Sequence, residues 1–212
     1  CKAMLDLGPE WLDSYVREVL YEAYANGLEF GFVQGTGADQ PIGMMRQVGD
    51  NVSVSGGVYP MKPPVYITRF DNQQLGALAG LMAVNPNGQY RPVRDLIMVV
   101  NYSDYYSKVL PAIQRQAPGG GYINNLPFAI EIIPSAAVPL DRAVFGIAYQ
   151  YICGGGIGQN GRILYSDDYH FLEDERVYLI KGYALGFARD NNCFFVLDIS
   201  DLLPAVYQVE NV

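Results

Sequence analysis

"PEWLDSYVREVLYEAYANGLEFGFVQGTGADQPIGMM", residues 9–45, decides how the chain is read. Pro9 suits the first helical position, where a missing N–H costs nothing, and Glu10 lies in the first turn, where the helix dipole favours an anion. Asp6 or Gly8 is the expected cap. Trp11, Leu12, Tyr15, Val16, Val19, Leu20, Ala23 and Tyr24 recur at spacings of three and four, which predicts one broad packing face. Gly27 and Gly31 weaken the helix at modest cost, and Leu28, Phe30 and Val33 carry it to a turn at Gly35. There the glycines of "GTG" permit positive φ while the chain reverses, and Pro41 fixes its exit.

Beyond this turn, residues 46–64 read as an extended connection with turns at "GDN" and "SGG" and a stop at "KPP". "VYITRF" (65–70) reads as a strand. Asp71 and Gln74 form a variant capping box ahead of a helix whose stripe is Leu75, Leu78, Ala79 and Met82. "DLIMVVN" (95–101) is an uninterrupted apolar run, hence a buried strand. The next helix takes Ser103 as its cap, places Tyr106, Val109, Leu110 and Ile113 on one side, and is kinked or ended by Pro111. "APGGGYINN" (117–125) reads as a mobile exposed loop. After it come β-rich runs: "PFAIEIIP", "AVFGIAYQYI", "RILYSDDYHFL", "RVYLIKGYALGFA" and "CFFVLDIS". Helices first and strands later predict an α+β fold.

Composition narrows the function. The 212 residues, half of them apolar, allow one large domain or two small ones with a sizeable core. The formal charge of −8 and the absence of a Lys/Arg run argue against nucleic acid as a direct ligand. Gly, Pro, Asp or Asn interrupts every apolar stretch before the roughly 18 residues of a membrane span. Seventeen tyrosines and nine phenylalanines exceed what one core needs, so some rings are expected to bury against other subunits. Cys1, Cys153 and Cys193 are odd in number and widely spaced, which disfavours zinc or a disulfide framework and favours a reducing interior. A leading Cys fits a mature lipoprotein or a chain whose beginning is missing; with no polar tether after Cys1, the second is favoured.

The chemical inventory is nearly empty. "GIGQNG" (156–161) matches G-x-G-x-x-G, but it opens the β-type run "RILYSDD" instead of a helix whose amides would hold a pyrophosphate. "GTGADQPIG" (35–43) lacks the Lys and Ser/Thr of a P-loop. His170 is the sole histidine, and no Ser lies in a G-x-S-x-G elbow. Asp167, Asp168, Glu173, Asp174 and Glu175 lack calcium-loop spacing and read as solvated turns. Nothing sets Glu29 and Asp39 opposite one another for acid–base work. Cys153 and Cys193 lie in apolar runs and read as buried, inert thiols. No catalytic, cofactor-binding or metal residue is expected.

The order of segments is more informative. The amphipathic helix running into G-x-G and then P-x-G, the "LIMVVNYSDYYSKVLPAI" strand–turn–helix, and "NLPFAIEIIPSAAVPLDRAVFGIAYQYI" together resemble the HK-ninety-seven-like major capsid proteins of tailed double-stranded-DNA bacteriophages. "DDYHFLEDERVYLIKGYALGFARDNNCFFVLDIS" is similar to the family's closing strands around a turn at "RDNN". The resemblance covers nearly the whole chain and implies an α+β capsid fold. It would comprise a discontinuous peripheral domain, 1–45 and 171–212, and an axial domain, 46–170, with an axial loop from Gln116 to Asn125 at the five-fold and six-fold axes. The family's N-terminal arm and extended loop have no counterpart before Cys1, so the chain reads as lacking them and no crosslinking residue is carried over.

The resemblance implies a non-enzymatic structural subunit of a phage or prophage virion, made in the bacterial host cytoplasm. It would self-assemble into hexamers and pentamers that enclose double-stranded DNA. Its partners would be copies of itself, with no cofactor, metal, membrane, small-molecule substrate or specific nucleic-acid contact. Lacking arm and loop, the chain is expected to be a monomer or small oligomer at ordinary concentrations. The alternatives are an encapsulin-type nanocompartment shell and, from a different class, a cytosolic nucleotide-binding enzyme using the glycine-rich loops.

Overall fold

The computed structural model describes residues 9–116, 120–124, 126–156, 161–170 and 175–205. Helix α1 (Pro9–Gln34) runs 26 residues to the Gly35 turn; its proposed caps lie outside the described residues. The chain divides into two compact units, Cys1–Glu29 with Cys153–Leu185, and Phe30–Ile152 with Gly186–Val212.

The larger unit is built on a mixed five-stranded sheet. Its strands are β1 (Val65–Tyr66), β2 (Leu96–Val100), β5 (Ile130–Pro134), β6 (Arg142–Ile147) and β11 (Phe194–Asp198), in the order β1-β11-β6-β2-β5. The outer pairs β1·β11 and β2·β5 are parallel, while β11·β6 and β6·β2 are antiparallel. Alternate side chains leave opposite faces of a strand, and both faces here are covered. Leu96, Met98 and Val100 of β2, with Phe145, Ile147 and Leu197, face helix α2 (Gln74–Met82) and helix α3 (102–113). Ile97 and Val99, with Val144, Phe194 and Val196, face a second core that takes in Val33 from the end of α1, Met45, Val138 and Ala188. Phe194 sits directly opposite Gly146, where any Cβ would stand 2.1 Å from the ring.

This shared core accounts for which segments make up the larger unit. Val33 and Met45 pack with β2 and β6, as do Ala188 and Cys193, so residues 30–45 and 186–205 belong with 46–152. Residues 153–170 join the first part of α1 instead.

Helix entries are refined in two places. Asp71 Oδ1 accepts from Gln74 N–H at 2.8 Å as expected, but the Gln74 side chain reaches further back, accepting from Thr68 N–H and Arg69 N–H. Asn101, not Ser103, caps α3: its Oδ1 accepts from Ser103 N–H at 3.0 Å while its Nδ2 donates to Val138 O at 2.8 Å. A side chain one residue before the first helical turn is placed to receive that amide, and Ser103 already lies inside the turn. The middle of α3, Tyr105–Val109, widens to π geometry, with Leu110 N–H donating to Tyr105 O. Pro111 has no N–H to give to the preceding turn, and the register slips just before it. Tyr105 packs on the core and Tyr106 is exposed, which reverses the expected placement of Tyr106.

The segment after α3 is a short antiparallel hairpin, β3 (Gln114–Gln116) with β4 (Tyr122–Asn124), where a loop was expected; the rest of that stretch, residues 117–119 and 125, lies outside the described residues.

In the smaller unit, β8 (Arg162–His170) and β9 (Glu175–Lys181) form an antiparallel ribbon. Asp13 on α1 accepts from Arg17 Nε at 2.6 Å and from Tyr178 Oη at 2.7 Å. Arg17, then Tyr178, hold the Asp13 carboxyl below its usual pKa. The Tyr24 ring fills the space a Cβ would take at Gly182, 2.1 Å away. Leu12, Val16, Leu20 and Tyr24 are therefore half-buried, while Trp11, Tyr15 and Val19, expected on the same packing face, are exposed. Strands β7 (Tyr151–Gly155) and β10 (Ala184–Ala188) pair, and the chain passes between the two units within both of them.

Glycine supplies two contrasting tests. A Cβ at Gly35 would stand 2.2 Å from Pro41 O and 2.3 Å from Gly31 O, both backbone atoms, whereas Gly80 in α2 has nothing within 4 Å. Gly35→Ala is expected to lose roughly 3 kcal/mol or more of unfolding free energy. Gly80→Ala should gain about 0.5–1 kcal/mol by removing backbone freedom from the unfolded chain. Urea denaturation of both variants measures the difference.

Candidate functional site

The amides of the "GTG" turn are committed to the fold. Gly35 N–H donates to Gly31 O, Gly43 N–H to Gly35 O and Ile42 N–H to Gly186 O. Gly37 has the positive φ expected of it, +93°, and the Tyr59 ring occupies its open side. Gly35 is required for a different reason, the close approach of Pro41. The turn seats the chain against the second core, with Pro41, Gly43 and Met45 buried.

Of "GIGQNG", residues 157–160 lie outside the described residues; Gly161, at φ +71°, leads into strand β8 and not into a helix. His170 ends β8 and Glu175 begins β9, and Asp167 and Asp168 lie on β8; Glu173 and Asp174 lie outside the described residues. Among the described residues no group of three or more His, Cys, Asp or Glu is placed to hold a metal ion. Glu29 is half-buried on α1, and Asp39 is exposed at φ +54° in the turn. Cys193 is buried as expected, and burial raises its thiol pKa. Cys153 is exposed, contrary to expectation: it lies on the two-stranded β7·β10 sheet, which leaves one side of β7 uncovered. Cys1 lies outside the described residues.

Sequence reading missed a polar knot under the "RDNN" turn. Lys62 is buried, and its Nζ donates to Asn191 O and Phe194 O, both at 2.6 Å. Burial pushes its pKa down to about 8, against the opposing pull of Cys193 and Asp190. Arg91 pairs in a fork with both Asp190 oxygens, donates from Nε to Met82 O at 2.6 Å, and lies 3.3 Å from Cys193 Sγ. Asn192 Nδ2 donates to Val84 O at 3.0 Å. A lone Lys beside "PP" carries no spacing signal, so only the fold reveals this role.

Two clefts flank one end of the sheet. One, of about 830 Å³, is lined by amide side chains such as Asn51, Asn87, Gln89 and Asn192. The other, of about 800 Å³, has Leu96, Leu126 and Phe128 within and Asp95 and Glu131 among its lining. Neither gathers converging catalytic groups. What the surface does carry is exposed aromatics: Tyr90 is 86% exposed and Tyr122 73%, with Tyr66, Tyr106, Tyr165 and Tyr183 also outward. No described helix is long and apolar enough to cross a membrane.

Comparison with solved structures identifies the fold. The chain is similar to the capsid of an empty GTA (gene transfer agent) particle computed with C5 symmetry, with a TM-score of 0.57 and 12% identity, covering 89% of this chain and 72% of that one. It is also similar to the capsid of the native GTA particle, likewise computed with C5 symmetry, with a TM-score of 0.55 and 12% identity over 88% of this chain and 65% of that one. The chain has an α+β capsid fold. No protein-family model matches the sequence. No curated protein matches it.

Lys62 yields a prediction with a defined sign. Its folded pKa of about 8 lies below the unfolded value of 10.5, so its share of stability is complete above 10.5 and is lost as pH falls towards 8. Lys62→Met is expected to destabilise by about 2–4 kcal/mol at neutral pH, by stranding two carbonyls. Relative to that variant, wild type should gain up to about 1.4 kcal/mol per pH unit between 8 and 10.5. Chemical unfolding across this range checks both.

Proposed function

We propose that this chain is the shell-forming subunit of a phage-like capsid of the HK-ninety-seven-like kind, working by tiling beside copies of itself into pentamers and hexamers around double-stranded DNA. The observation that carries the reading is the fold likeness over nearly nine-tenths of the chain to two particle capsids, each computed with five-fold symmetry. The unit holding the five-stranded sheet would be the axial domain, with the β3–β4 hairpin as its axial loop, and the unit holding the β8–β9 ribbon would belong to the peripheral domain.

The surface chemistry supports it. Exposed tyrosines offer large apolar area with a polar tip, which suits contacts that alternate between solvent and a neighbour. The role is structural, without catalyst or cofactor. A charge of −8 leaves packaged DNA ungripped, so retention would come from containment.

Electron microscopy of the complete gene product is the test. Uniform hollow particles are expected, and nuclease sensitivity of their contents separates a DNA container from a protein-cargo compartment. Non-associating subunits that ATP or NAD stabilises saturably would overturn the reading in favour of an enzyme.

A further inference from the structure

A ring of more than two identical subunits cannot close through one self-complementary patch; each copy must present two different surfaces that fit one another. The unit of the five-stranded sheet presents two such surfaces at the end where β2, β5 and β11 begin and β6 finishes.

On the β5 edge is the cleft of about 800 Å³ with Leu126 and Phe128 inside it. Of its two carboxylates, Asp95 has a partner in its own chain, Arg94, at 3.8 Å. Glu131 is exposed, and among the described residues no cation pairs with it.

On the β11 side, Tyr90 projects almost fully into solvent from a firmly held base. Tyr90 bridges to Val84, Arg91 N–H donates to Ala83 O, and the Arg91 side chain is locked to Met82 O and Asp190. Beside Asp190 stands Arg189, exposed and, among the described residues, without an ion-pair partner. An aromatic knob with a free cation thus lies on one side, and an apolar recess with a free anion on the other. They belong to different strands of the same unit, so both can be engaged at once.

We propose that these two surfaces are the head and tail of the ring contact: Tyr90 of one copy enters the Leu126–Phe128 cleft of the next, and Arg189 pairs with that copy's Glu131. This rests on the shell reading above. The occupant is a second copy because the knob and the recess match in shape class and in charge on one chain. Aromatic and arginine anchors are also the side chains that dominate such contacts.

Charge reversal tests it. In the complete gene product, Glu131→Arg, Arg189→Glu and the double variant are compared with wild type by sedimentation velocity and mass photometry over a concentration series, with thermal unfolding as the folding control. Each single reversal is expected to raise the concentration of half-assembly by about tenfold or more, and the double reversal to bring it back within about threefold of wild type. Tyr90→Ser should weaken assembly by a similar factor without shifting the unfolding midpoint. Variants that assemble like wild type, or single defects that the double reversal leaves unrescued, overturn this contact while the shell reading stands. A complete wild-type gene product that stays monomeric throughout overturns both.

Discussion

Five consecutive side chains of β2, Leu96–Val100, are buried, and because neighbours on a strand point to opposite faces, one covering layer cannot hide them all. The larger unit is arranged around supplying two covers. Helices α2 and α3 provide one, with Leu75, Met82, Val109 and Ile113. The other has no helix of its own in the middle of the chain; it is assembled from the last turn of α1, the strip after the "GTG" turn, and the pair Ala137–Val138. That second cover exists only because the chain can reverse tightly at Gly35, against Pro41, and come back as buried Met45 and Val48.

Two polar devices hold this arrangement without opening the core. Lys62 reaches in from the returning strip to carbonyls on either side of the start of β11, and the Arg91–Asp190 fork ties the turn before β11 to the end of α2. Each brings a charge into a site of restricted solvent, a cost that is offset only where every donor has an acceptor. Here the acceptors are backbone carbonyls and a carboxylate, which fix position more stringently than apolar packing does. The turn before β11 is therefore a firmly held base for the side chains that project from it.

Much of this was legible in the sequence, for identifiable reasons. The helical run of α1 to its Gly35 stop and the unbroken apolar run of β2 are local signals, and each appears where expected. The misreadings share a cause, dependence on partners distant along the chain. Asn101 outcompetes Ser103 because Val138, 37 residues on, accepts from its other nitrogen. Cys153 is exposed although its run looks like a core strand, because the pairing of β7 with β10 forms a sheet of only two strands. Trp11 and Tyr15, four residues apart, are the local exception: they stack on one another at 5.5 Å instead of entering a core. Lys62 gives no sign at all, since its acceptors are backbone atoms 129 and 132 residues away.

The exposed aromatics gain their meaning from this contrast between interior and surface. A chain that satisfies a two-sided sheet, a buried lysine and a forked ion pair has no shortage of ways to bury apolar area, yet Tyr90, Tyr122, Tyr106 and Tyr183 stay outside. A single such ring is too small to hold two subunits together, because a stable pairwise interface removes about 800 Å² from each partner. Rings dispersed over both units instead suit many separate contacts, each weak. In the proposed shell, every contact would be stabilised through all the others, so individually weak contacts would suffice and misplaced subunits could still leave before closure. The proposed contacts would also need stiff bases, because an anchor that moves forfeits the cooperation between neighbours, and the turn beneath Arg189 is tightly bonded through Asp190.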